Sequence, residues 1–151
     1  MIDRFEELLR ELGAELGTTL HSDRRGACRL NINDAIDIQL ECDGPQEKLL
    51  VATFICDIPP GKFRENILRD SLKANGPFPE NGTLGYSSKN NKLALFKFLK
   101  LSELKAKELA DFLTLFMEKA KKWRVGVEMG TTASLVPTPP PQTASGMFGL
   151  K

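Results

Sequence analysis

Leu49-Leu50-Val51-Ala52-Thr53-Phe54-Ile55-Cys56 is apolar on both of its alternating faces, so it reads as a strand in the middle of a sheet. Before it, Cys28-Arg29-Leu30-Asn31-Ile32 and Ile36-Asp37-Ile38-Gln39-Leu40-Glu41-Cys42 alternate apolar with polar residues around Asn33-Asp34. That pattern is a hairpin with one buried and one wet face. Asp43-Gly44-Pro45 turns the chain into the central strand. After it, Asp57-Ile58-Pro59-Pro60-Gly61 breaks the sheet and admits a helix from Lys62 to Ala74, stopped by Asn75-Gly76-Pro77. A second hairpin joins Thr83-Leu84-Gly85-Tyr86 to Lys92–Leu99 across Ser88-Lys89-Asn90-Asn91.

Helices flank these strands. Ile2, Phe5, Leu8, Leu9, Leu12 and Leu16 recur at helical spacing. Gly13 weakens that helix by propensity, and Gly17 is placed to end it. Leu109, Phe112, Leu113, Phe116, Ala120, Trp123 and Val127 give the clearest helical period in the chain. Ser102 reads as the N-cap of this long last helix, with Glu103 favourable against its dipole. The element order is α-β-β-β-α-β-β-α, an α+β fold with an antiparallel sheet flanked by helices. From Gly130 the composition turns to Thr, Ser, Ala and Pro, including Pro139-Pro140-Pro141. Residues 1–130 therefore read as one domain, and 131–151 as a disordered tail whose only apolar cluster is Met147, Phe148 and Leu150.

The 151 residues fit a single domain, and the +1 net charge argues against a polyanion binder held mainly by phosphate contacts. Met1-Ile2-Asp3-Arg4-Phe5-Glu6-Glu7 is acidic and amphipathic, unlike a signal peptide, and no apolar run is long enough for a membrane span. Cys28, Cys42 and Cys56 are odd in number and widely spaced, as expected of reduced thiols in a cytosolic protein.

Reactive constellations are scarce. His21 is the one histidine and lies in a polar stretch. There is no nucleophile elbow, Walker loop or dinucleotide glycine pattern, and the cysteine spacing suits no metal site. Asp34, Asp37 and Asp57 sit in turns or on the wet side of a hairpin, where acids are expected anyway. The sequence thus predicts no enzyme, no metal and no cofactor. A nucleic-acid or regulatory factor is the competing reading, resting on Lys97, Lys100, Lys105, Lys107, Lys119, Lys121, Lys122 and Arg124. Exposed helix faces are ordinarily charged, however, and no RNP-type aromatic pattern appears on the strands.

Apolar surface is in excess. Strands 49–56 and 93–99 are apolar on both faces, while helices are expected to cover only one. The helix over 62–74 carries its own stripe of Phe63, Ile67, Leu68 and Leu72. Some of this surface is expected to meet another polypeptide.

The arrangement resembles the class I type III secretion chaperones, the Tir chaperone family of Gram-negative bacteria, over about residues 1 to 126. The resemblance is carried by Gly26-Ala27-Cys28-Arg29-Leu30-Asn31-Ile32-Asn33-Asp34 and Asp57-Ile58-Pro59. It continues through Leu68 to Leu72 with Ala74-Asn75, then Leu84-Gly85-Tyr86, and Phe116 through Ala120 to Trp123. It implies a cytoplasmic homodimer without nucleotide or metal, or a heterodimer with a related chaperone. Such a protein holds the N-terminal region of a secreted effector non-globular and presents it to the secretion ATPase. The dimer interface is expected at Phe63, Ile67, Leu68, Leu72 and, on the next strand, Leu84. Effector contact is expected at Ile2, Phe5 and Leu9 on the first helix and at Leu30 and Ile32 on the sheet, partly by strand addition. Members of the family are usually acidic, whereas this chain is near neutral, and the Pro-rich tail lies outside the family pattern.

Overall fold

The computed structural model describes residues 3–32, 36–43 and 47–137. Helix α1 (Arg4–Leu16) starts where the Asp3 carboxylate accepts from the N–H groups of Phe5 and Glu6, and ends at Gly17 in the left-handed region, φ 74°. Strands β1 (Ala27–Ile32), β2 (Ile36–Cys42) and β3 (Lys48–Asp57) precede helix α2 (Lys62–Asn75). Strands β4 (Thr83–Ser87) and β5 (Lys92–Lys100) precede helix α3 (Ala106–Glu128). The strands form one antiparallel sheet in the order β1-β2-β3-β5-β4, so β3 is central, as its two apolar faces require.

Pairings such as Leu40 with Val51 and Thr53 with Leu95 put Leu30, Ile38, Leu40, Leu49, Val51, Leu93 and Leu95 on one side. All of these are buried. The helices lie on that side: Leu8, Leu9 and Leu12 of α1, Ile67 of α2 and Leu109, Leu113, Phe116, Ala120 and Trp123 of α3 join the same core. Thr53 is the polar residue buried in the middle of β3, and its hydroxyl donates to the Asp37 carbonyl at 2.6 Å. A buried hydroxyl without such a partner costs free energy, and this bond removes that cost.

Three expectations are corrected. Ser102 does not cap α3. It lies in a separate 3-10 turn, Leu101–Glu103, and α3 starts at Ala106 after an extended Lys105. Burial of Leu101 holds that turn apart, closed by the Leu104 N–H donating to the Leu101 carbonyl. Second, the ordered chain does not stop at Gly130. Residues 131–137 include a second 3-10 turn, Ala133–Leu135, with Thr132 buried and hydrogen-bonded to Asp70 of α2. Composition alone missed a seat made by one hydroxyl and one leucine. Residues 138–151, with Met147, Phe148 and Leu150, lie outside the described residues.

Third, Gly13 is no mere weak point of α1. A Cβ there would meet the Thr18 carbonyl oxygen at 2.4 Å, because the chain folds back across the helix end. Thr18 donates its N–H to the Gly13 carbonyl at 2.8 Å. Glycine permits that approach.

Candidate functional site: the open face of the sheet

With all three helices on one side, the other face of the sheet has no cover among the described residues. Leu50, Ala52 and Phe54 of β3 stand there beside Phe98, Phe96 and Ala94 of β5, and Gly85 of β4 is opposite Ala94. Phe54 is 54% exposed and Phe98 55%, high for aromatic side chains on central strands. The Phe96 and Phe98 rings meet edge-on at 6.4 Å between centroids. Phe96 also leans across Gly85, where a Cβ would come within 3.3 Å of its ring. The missing side chain at the edge strand is thus replaced by an aromatic from its neighbour.

Towards β2 the face turns polar. Gln39 is opposite Ala52 and Glu41 opposite Leu50, while Asn31 of β1 donates from its side-chain amide to Asp37 at 2.6 Å. The result is an aromatic strip bordered on one flank by amides and carboxylates. At one end of the strip Phe98, Leu99 and Glu47 line a hollow of about 600 Å³. This surface offers area and shape but no reactive group.

The sheet has two edges, β1 and β4. At β4 the Asn75 side chain acts as a stub of a sixth strand. It donates to the Leu84 carbonyl at 2.9 Å and accepts the Leu84 N–H at 2.8 Å. At β1 the first residue is engaged by the preceding turn, where the Asp23 carboxylate accepts the Ala27 N–H. Hydrogen bonds from the N–H group of Ala27, and then of Arg25, hold the Asp23 carboxyl below its ordinary range.

The predicted contact residues fall differently. Phe5, Leu9 and Leu30 are buried in the chain's own core, so the first helix spends Phe5, Leu8, Leu9 and Leu12 on that core. Six apolar residues on a short helix suggest a surplus, but four of them, Phe5, Leu8, Leu9 and Leu12, are buried and Leu16 is half-buried against the same core. Ile2 lies outside the described residues, and of Ile32 only the backbone is described, paired with Ile36. On the other predicted surface, Ile67 and Leu84 are buried and Phe63 and Leu68 half-buried against the core. Leu72 is 73% exposed and remains available. Phe54 and Phe98 were not singled out individually; the two-faced apolarity of their strands was the signal that pointed to them.

Three of the basic residues in the lysine-rich stretch are engaged within the chain. Lys119 donates to the carbonyls of Glu80 and Gly82, at 2.6 and 2.8 Å, and burial lowers its pKa. Lys100 pairs with Glu103 and Arg124 with Glu128. Among the described residues no group of three or more His, Cys, Asp or Glu is placed to hold a metal ion. No helix there is long and apolar enough to cross a membrane.

The profile of the Tir chaperone protein (CesT) family matches residues 7–124. The chain belongs to this family. A search of curated proteins finds no match. Among solved structures, a chain of the HopA1–SchA chaperone–effector complex superposes with a TM-score of 0.68 at 21% identity, over 83% of this chain and 99% of that one. The Yersinia pestis type III secretion chaperone SycH, in complex with a YscM2 fragment, gives 0.62 at 18% identity, over 79% and 98%. The heterodimeric ExoU–SpcU complex of Pseudomonas aeruginosa gives 0.62 at 16%, over 80% and 94%. These likenesses carry the fold of the Tir chaperone family across nearly the whole length of each relative. The family is one of chaperones, not of enzymes. The segment 131–137, seated on α2 and α3, lies beyond the family match.

Proposed function

We propose that this protein is a type III secretion chaperone that takes the N-terminal region of a secreted effector onto its open sheet face and keeps it non-globular. The observation that carries the reading is the uncovered aromatic strip of Phe54, Phe96 and Phe98 in a chain of the Tir chaperone family. An apolar client side chain that buries itself there gains about 1.5–3 kcal/mol by area, and several such contacts suffice to hold an extended segment. The solved relatives supply the analogy: SchA, SycH and SpcU are each found in complex with a second polypeptide.

The chain acts, in this reading, as a cytoplasmic homodimer that delivers its client to the secretion machinery. Leu72, on the side of the sheet bounded by β4, is the exposed apolar residue that a second copy would cover. The free edge of β1 beyond Ala27 offers main-chain groups to a client strand, a mode that depends little on client sequence. Nothing in the arrangement of the lysines favours a nucleic-acid partner.

The test is co-purification with effector N-terminal segments, using the wild-type chain beside Phe54→Ser and Phe98→Ser. Capture should fall at least tenfold in the double variant while the melting temperature stays within a few degrees. Undiminished capture by a folded double variant would remove the open face from the proposal.

A further inference from the structure

A groove outside the sheet face lies between the end of α2, the loop after it and α3. Its apolar wall is formed by Ala74, Phe78, Leu115, Trp123, Leu135 and Pro137, around a volume of about 520 Å³. Phe78 is 87% exposed and Leu115 47%, so two large side chains at its rim lack cover in the described residues. Two of the wall residues, Leu135 and Pro137, belong to the segment beyond the family match. That segment is firmly seated: Thr132 is bonded to Asp70, and the Leu135 side chain fills the notch left by Gly126, where a Cβ would meet it at 2.7 Å.

We propose that this groove is an intramolecular docking site whose occupant is the chain's own Met147-Phe148-Gly149-Leu150. Three observations select that occupant. The described chain ends at Pro137, itself part of the groove wall, so the sequence that follows is delivered to the groove mouth. Nine residues, 138–146, separate Pro137 from Met147; they span at most about 30 Å when extended, ample to turn back onto the same groove. Residues 138–150 carry no charge, and Met147, Phe148 and Leu150 are their only large apolar side chains. Docking them therefore takes no charge of residues 138–150 out of water and covers the rim of Phe78 and Leu115, beside the charged side chains of Lys73, Glu80, Glu118 and Lys122 that also line the groove.

The tether matters as much as the contacts. A short tether raises the effective concentration of the attached segment, to about the millimolar range. Weak contacts that are negligible between separate chains become substantial within one. The Tir chaperone fold is thereby extended by a segment that docks on its own helical side, away from the open sheet face.

Methyl and amide NMR on the full-length chain tests this. In the wild type, the amides of residues 147–150 should sit away from random-coil positions and show contacts to Leu115 and Phe78. Met147→Ser, Phe148→Ser and Leu150→Ser together should shift the Leu115 and Leu135 methyl signals and the Trp123 indole signal, with the sheet unaffected. Leu115→Glu, at an exposed helix position, should return the amides of 147–150 to random-coil values without unfolding the protein. The two sets of changes combined should give no further shift, because both break the same contact. Random-coil amides for 147–150 in the wild type would overturn the proposal. So would contacts from that segment to Phe54 and Phe98. Contacts found only between labelled and unlabelled chains of a mixed sample would assign the groove to a neighbouring copy's segment and overturn it equally.

Discussion

The Thr132 hydroxyl donates to the Asp70 carboxylate at 2.6 Å, joining residues 62 positions apart and closing the segment after α3 onto α2. Thr132 is buried and Asp70 half-buried, so the bond is partly shielded from water, and a hydrogen bond to a charged group contributes about 1.5–3 kcal/mol. Thr132→Val keeps the shape and removes the donor. It should lower stability in urea by about 2 kcal/mol, with Thr132→Ser recovering most of the loss. A chain cut after Gly130 should lose more, because Leu135 leaves with it. An unchanged midpoint in both would show that the segment rests on α2 and α3 without stabilising them.

Gly13 sits in α1, where helix propensity alone favours alanine by about 1 kcal/mol. The fold opposes that gain, since a Cβ would press on the Thr18 carbonyl at 2.4 Å, and the atom it meets is backbone, which has little room to yield. Gly13→Ala should therefore destabilise the protein by about 1–3 kcal/mol, the range of an overpacked core. Gly17→Ala makes a useful contrast, because nothing stands near its Cβ and the cost there comes from φ 74° alone. A more stable Gly13→Ala protein would mean that the turn at Thr18 moves away freely.

The period-two runs around Leu40 and Val51 and the 3.6-period row from Leu109 to Val127 made the architecture legible, since each element needs one buried face and the sequence marks it. What periodicity cannot say is how deep each seat is. Leu9 and Ile67 lie on stripes that looked surplus, yet both are fully enclosed, because the packing of α1 against α3 and of α2 beside β4 is long-range information. Phe54 and Phe98 show the reverse. Their strands were marked as apolar on both faces, but only the placement of every helix on one side reveals which of the two faces remains open. Thr132 and Leu135 were unreadable as structure, because a polar, Pro-containing stretch carries no period and its seat depends on Asp70 and Gly126.

Leu72 and Ile67 separate association from folding. Leu72 projects from α2 into solvent, whereas Ile67 is fully enclosed. Leu72→Glu should shift a homodimer towards monomer in light scattering while the melting temperature of the monomer is little changed. Ile67→Glu would bury a carboxylate in the core and should cost about 3–5 kcal/mol, enough to unfold a marginal domain. If Leu72→Glu leaves the oligomeric state untouched, a dimer seam through this part of α2 is wrong.

The three thiols give a prediction in pH. Burial raises the pKa of Cys28, Cys42 and Cys56 above the ordinary value of 9.0, with nearby carboxylates adding to the shift: Glu6 for Cys28, Asp43 for Cys42 and Glu128 for Cys56. In the unfolded chain each thiol ionises near its ordinary pKa, and in the folded chain only at higher pH. The folded state thus holds its protons longer. These groups' contribution to stability is complete below the unfolded pKa and is lost as pH rises through the folded values. Urea midpoints should accordingly be flat in this respect between pH 7 and 8 and decline above about pH 9. Replacing Cys56 with Ala, a change at a half-buried position, should remove part of that decline. Alkylation offers an independent reading: at pH 8 the folded protein should react with iodoacetamide far more slowly than the urea-unfolded chain, with Cys28, the most enclosed, slowest of the three. Rapid labelling of Cys28 in the native protein at neutral pH would show that β1 opens readily at that edge of the sheet.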